Sequence, residues 1–149
     1  MRPSLLVATL CGVGRLKPAP GTWGSAAVLP AALLGPDAAL VLAMAATIAG
    51  LLALRDLFAG DPGQDPGWVV VDEAAGMLLT LAALPAAAGW TGVALAFLLF
   101  RAFDILKPWP VSWADGLGGP VGVMLDDILA GAIGGAILLL LGAFAPGIL

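Results

Sequence analysis

Seven ionisable side chains stand in or at the ends of otherwise apolar stretches of this chain: Asp72, Glu73, Arg101, Asp104, Lys107, Asp126 and Asp127. Carboxylates so placed are hard oxygen ligands of the kind that hold Mg2+. Arg101, Asp104 and Lys107 recur every three residues, which puts them along one side of a helix. A guanidinium and an ammonium beside acids suit a phosphoryl group whose oxygens need neutralising. Neighbouring residues on a helix point about 100° apart. Asp72/Glu73 and Asp126/Asp127 are therefore each expected to give one direct metal ligand and one partner behind it. The plainer alternative is that some acids only pair with Arg101, Lys107 or Arg55. Acids inside a membrane helix cost at least ~2.5 kcal/mol each, however, and commonly mark function.

A second feature is the run from Arg15 through Lys17-Pro18-Ala19-Pro20-Gly21-Thr22-Trp23-Gly24-Ser25. Its prolines and glycines predict a rigid turn into a helix start, which Thr22 or Ser25 would cap. Free N–H groups there favour an anion such as phosphate.

The elements that must position these groups follow from composition. The chain has 149 residues, enough for one domain (1–149), with 61% hydrophobic residues, 21 glycines and 11% charged residues. Mean hydropathy is +1.07. A soluble domain of this size buries only about two thirds of its chain surface, too little to hide so much apolar area. The expected class is all-α: a polytopic membrane bundle of about five helices. Uncharged stretches at 18–36, 38–54, 74–100 and 128–149, the third broken near Pro85 and Gly89, predict helices at 24–36, 38–58, 66–84, 90–106 and 121–143. The first is short and carries Pro30. Residues 3–14 are too few to span ~30 Å of hydrocarbon and read as interfacial or re-entrant, ahead of a cleaved signal peptide over 1–12. The turn-rich stretch 59–67 is the long connection.

With helices alternating in direction, every basic residue falls on one face, which the positive-inside rule makes cytoplasmic. The acids then enter from that same face. Asp72 and Glu73 would lie roughly 9–10 Å inside the third helix at 1.5 Å per residue. Trp109 and Trp113 read as interface anchors.

Absences narrow the chemistry further. There is no histidine and only one cysteine, Cys11, which excludes a Ser-His triad, a disulfide and a multi-cysteine zinc site. Net charge −4 argues against nucleic acid as a partner. The remaining nucleophiles are a metal-activated water, which is favoured, and a carboxylate.

Four runs together resemble the phosphatidylglycerophosphatase A family: Pro20-Gly21-Thr22-Trp23-Gly24-Ser25, Asp72-Glu73 with Gly76-Met77, Arg101-x-x-Asp104-x-x-Lys107-Pro108-Trp109-Pro110, and Asp126-Asp127-Ile128-x-Ala130-Gly131. The likeness extends from about Gly12 to Gly142. It implies an Mg2+-dependent phosphatase of the bacterial inner membrane that converts phosphatidylglycerophosphate to phosphatidylglycerol. On this reading Asp72, Glu73, Asp126 and Asp127 form the metal site, and Asp72, Glu73, Asp104 and Asp127 are catalytic, with Asp104 a further ligand or the general base. Lys17, Thr22, Ser25, Arg101 and Lys107 are expected on the substrate phosphate. Membrane lipids surround the protein, and a homo-oligomer is left open. The competing class is a non-enzymatic membrane protein with an acidic ion site, which would have no use for Arg101 and Lys107 beside the acids.

The charge map predicts that Asp37→Cys and Gly63→Cys, introduced into a Cys11→Ser background, label from opposite faces of the membrane. Labelling in intact spheroplasts and inverted vesicles measures this; equal reactivity from one side would overturn the topology.

Overall fold

The computed structural model describes residues 2–61 and 66–149. Its α-helices are α1 (Pro3–Ala8), α2 (Pro20–Ala27), α3 (Pro36–Leu57), α4 (Val71–Leu81), α5 (Trp90–Leu106), α6 (Val111–Asp115) and α7 (Gly119–Phe144). Short 3-10 turns cover Val13–Arg15, Leu29–Leu34 and Pro146–Ile148, and no strand occurs among the described residues. The all-α expectation therefore holds.

Three of the expected helices appear almost as drawn: 38–58 as α3, 90–106 as α5 and 121–143 as α7. Prolines explain two of those starts. Pro36 is the first residue of α3 and Pro120 the second of α7, where a missing N–H costs no intrahelical bond.

The expected helix at 24–36 is corrected. The α-helix begins at Pro20 and stops at Ala27, and a 3-10 turn continues to Leu34. Pro30 would clash with the carbonyl four residues back if the α-helix ran on. Because α2 starts at Pro20, Thr22 and Ser25 lie inside it, and no side chain caps it. The Ser25 hydroxyl instead donates to Gly21 O at 2.8 Å.

The expected helix at 66–84 is corrected as well. Residues Pro66–Val70 form an irregular approach, held by Val69 N–H donating to Pro66 O and Val70 N–H to Ala8 O, both at 2.9 Å. Helix α4 opens only at Val71, so Asp72 and Glu73 occupy its first turn rather than lying two turns inside. The loop stretch 59–67 falls partly outside the described residues, which omit 62–65. The short α6 was not anticipated.

Two helices, α3 and α7, are long and apolar enough to cross a membrane. Only 28% and 33% of their most apolar windows are buried, so most of that surface points outward, with Val41, Ile48, Leu52, Leu139 and Phe144 all exposed. This suits lipid as the surrounding medium. Helix α4 behaves differently. At 11 residues it is about 16 Å long, and nine of those residues are buried. It is a core helix, packed chiefly on α7 and α3. Met77 and Leu81 join Ala96, Phe100 and Leu138 in one apolar cluster. Val71 and Ala75 join Leu54, Phe58 and Met124 in another.

Glycines set how closely α4 and α7 approach. A methyl group at Gly131 would collide with Gly76 O, and one at Gly76 would collide with Asp127 O and the Phe100 ring. The buried Thr80 hydroxyl contacts both carbonyls at this crossing, Gly76 O at 3.0 Å and Gly131 O at 3.2 Å.

Gly131→Ala is therefore expected to destabilise the fold by about 1–3 kcal/mol through overpacking. Gly134→Ala is the contrast: its nearest neighbours stand 3.4 to 3.6 Å away, and it should change stability by less than about 0.5 kcal/mol. Thermal unfolding in detergent measures both, and equal effects would count against a close α4–α7 contact as the constraint.

Candidate active site

The site is built where the start of α4 meets the first third of α7. Asp72, Glu73 and Asp127 each offer one carboxylate oxygen, and these three atoms lie within 4.8 Å of one another. Asp72 is 7% exposed and Asp127 3%. The two α4 acids gain from their place in the helix's first turn, where unpaired backbone N–H groups favour negative charge. Asp127 lacks that advantage: it reaches the cluster because the Gly76–Gly131 contact brings α7 against α4.

Asp126 and Asp127 diverge in role. Asp126 accepts a hydrogen bond from Lys107 Nζ at 2.7 Å and, through Oδ1, one from the backbone N–H of Asp127 at 3.0 Å. Lys107 also pairs with Asp115 of α6. It ends α5 in the left-handed region, at φ +45°, with its N–H on Phe103 O and Pro108 next in sequence. This cap turns the chain toward α6 and α7. Partial burial works against the ammonium charge, yet the hydrogen bonds to Asp115 and Asp126 prevail and hold its pKa above the ordinary lysine value.

Arg101 and Asp104 form an ion pair one turn apart on α5. The Arg101 Nε is buried with no hydrogen-bond partner, and so is Glu73 Oε2. Helix α2 closes this side. A methyl at Gly21 would overlap Glu73 Oε1 and stand 3.4 Å from Arg101 Nη1, so a larger residue there would displace the Glu73 carboxylate. Gly24, about a turn further along α2, sets the backbone approach: a methyl there would come within 2.7 Å of Val70 Cβ.

Among the anticipated residues, then, Asp72, Glu73 and Asp127 come together, with Arg101 and Asp104 beside them. Asp126 and Lys107 form an adjoining pair outside the group of three. Of the Asp126/Asp127 pair only Asp127 joins the group of three, whereas Asp72 and Glu73 both do. Thr22 lies half-buried next to Gly21, Lys17 is exposed on the preceding loop, and Ser25 is buried against its own helix. Two contributors were missed: Gly21, which has no polar side chain to signal it, and Asp115, whose place beside Lys107 depends on the unforeseen α6.

Three clustered carboxylates, two buried and Glu73 half-buried, repel one another, and Arg101 is already paired with Asp104. A divalent cation is the natural counter-charge, and the orphaned Glu73 Oε2 is an oxygen such an ion would engage. The oxygen-only donor set fits a hard cation.

A family model described as phosphatidylglycerophosphatase A matches residues 6–142. The chain is 38% identical over 136 residues to the phosphatidylglycerophosphatase A of Haemophilus influenzae, covering 87% of this chain and 83% of that protein. It is 39% identical over 149 residues to the Escherichia coli protein of the same name, covering 97% and 86%. A Bacteroides thetaiotaomicron protein provisionally named a phosphatidylinositol-3-phosphatase is 43% identical over 145 residues, with 87% and 89% coverage. No solved structure matches significantly.

Removing one of the crowded charges should stabilise the metal-free protein. Asp127→Asn is expected to raise the melting temperature in EDTA by about 2–4 °C, equivalent to roughly 1 kcal/mol, and to lack the upward shift expected of the parent in Mg2+. Asp126→Asn should keep that shift. Equal Mg2+ stabilisation of parent and Asp127→Asn would remove Asp127 from the metal site.

Proposed function

This chain belongs to the phosphatidylglycerophosphatase A family, and we propose that it hydrolyses phosphatidylglycerophosphate to phosphatidylglycerol and phosphate with the help of Mg2+. The carrying observation is the close trio Asp72, Glu73 and Asp127 beside Arg101. It joins anionic ligands for a metal to a cation for phosphate, the two signs a phosphatase requires. The setting we propose is a multi-pass protein of the bacterial inner membrane with this site on the cytoplasmic face.

Asp72, Glu73 and Asp127 would hold the cation, which supplies Lewis-acid neutralisation of the phosphoryl oxygens and lowers the pKa of a bound water. The side chains around it divide the remaining work. Arg101, fixed by Asp104, would offer its guanidinium charge to the phosphoryl oxygens. Asp104 serves as its positioning partner and remains the candidate base. Lys107 orients Asp126 and, through it, the backbone N–H of Asp127. Thr22 and Lys17, on and before α2, would meet the outer region of the headgroup. Ser25 supports Gly21 rather than touching substrate. Water is the favoured nucleophile because the buried acids converge as ligands; trapping an aspartyl phosphate after acid quench would overturn that choice.

Purified protein is expected to release phosphate from phosphatidylglycerophosphate, to stop in EDTA and to recover with Mg2+. Asp127→Asn and Glu73→Gln should abolish turnover while the protein stays folded. Arg101→Ala should lower kcat by about 10²–10³-fold, the size of one lost transition-state contact. Phosphatidylinositol 3-phosphate belongs in the same assay, given the name of the Bacteroides relative. Preference for it would move the substrate assignment, and full activity of both amide variants would overturn the site.

A further inference from the structure

An apolar groove of about 740 Å3 runs beside the acidic site, and no charged side chain lines it. Its volume falls in the ~300–1,000 Å3 range of small-molecule sites. One wall is α1 and the turn after it, with Leu6 and Leu10. The second is α2 and the 3-10 turn after it, with Ala27 and Ala31; the third is α3, with Ala45 and Ala46. The α3 side is shallow because it presents alanines here, and the second wall changes from α-helix to a 3-10 turn at Leu29–Leu34, where Pro30 stands.

Its floor ties it to the site. Val71 and Leu78 of α4 both line it. Val71 shares the first turn of α4 with Asp72 and Glu73, and Leu78 lies about 10 Å further along the axis. Helix α2 also borders both features: Gly21 faces Glu73 and Arg101, while Ala27 faces the groove. The groove thus starts at the level of the carboxylates and leads away from them toward the middle of α3, over residues Leu42–Ala49.

We infer that this groove receives one long acyl chain of the lipid whose phosphate occupies the acidic site. The inference rests on the lipid phosphatase reading above. An extended apolar slot that begins at a charged site matches an amphiphile, whose chain leaves its headgroup in a single direction. Helix α1 thereby gains a role as the outer wall of a binding slot.

The test compares dihexanoyl and dipalmitoyl phosphatidylglycerophosphate on purified full-length protein in mixed micelles. The expected result is that the ratio of kcat/KM for the long over the short chain falls at least tenfold in Ala45→Trp and in Ala27→Trp. Both positions are exposed in the groove, so an indole can fill it without entering the core. Ile48→Trp, exposed on α3 outside the groove, should keep the parental ratio. Binding is read separately with a phosphatidic acid carrying a diazirine mid-chain. Its cross-links should concentrate in residues 27–34 and 42–49, and long-chain phosphatidylglycerophosphate should compete for them while phosphatidylcholine should not. A parental ratio in both groove variants would overturn the inference, as would cross-links spread evenly over α3 and α7. Absence of phosphate release from every lipid, with the cross-links still concentrated and competed, would instead overturn the hydrolytic reading and leave the groove standing.

Discussion

Three carboxylates, two of them buried, held within 4.8 Å of one another are the constraint to which the surrounding structure answers. Left in an apolar interior, such charges repel at low dielectric and each loses its hydration. The fold answers on three sides. The first turn of α4 offers backbone N–H groups to two of the acids. An arginine, already oriented by Asp104, stands on a third helix. The trio could hold a cation against the rest of the negative charge, and an ion that bound only the assembled trio would stabilise the assembled fold by mass action.

Bringing the acids so close is a matter of backbone geometry before it is one of chemistry. Asp127 is separated from Asp72 and Glu73 by more than fifty residues of chain. Only the side-chain-free contact of Gly76 with Gly131 lets α7 come near enough to deliver it. Thr80 reinforces that contact by hydrogen bonding across it, a device suited to a medium in which water does not compete. Gly21 does the same work for α2. The glycines thus belong to the site as much as the acids do, because a methyl group at any of the three would move a ligand or its helix.

The polar residues of the site were legible in the sequence because a charge inside an apolar stretch is conspicuous. Their division was not. Asp126 and Asp127 look equivalent on the chain, and only the left-handed cap at Lys107, followed by the turn into α6, gives Asp126 a partner of its own. The long helices α3, α5 and α7 were legible from uninterrupted hydrophobic runs bounded by proline or glycine. The start of α4 was not. The apolar run Trp68-Val69-Val70 extends the helical pattern backward, but the Val70 N–H is taken by Ala8 O, so a tertiary contact overrides the local signal. The same blindness hid α4's burial: composition cannot separate a helix that faces lipid from one wrapped by its neighbours.

That α4 is a core helix changes how the site meets its surroundings. Were it a full crossing helix with the acids two turns inside, substrate would have to descend into the hydrocarbon to reach them. With the acids in the first turn of a helix only 11 residues long, the charged cluster stands at the end of the element, at the level where irregular chain and loop ends gather. The flanking helices α3 and α7 run past it with their apolar faces outward. A phosphate can then arrive along the polar end while apolar matter stays beside α3. The cluster is drawn from the buried α4 and from α7, both largely apolar around it, and α2 borders it through Gly21. That helix carries glycines where it meets the site and alanine where it turns away, which is how one short element serves both the charged and the apolar neighbourhood.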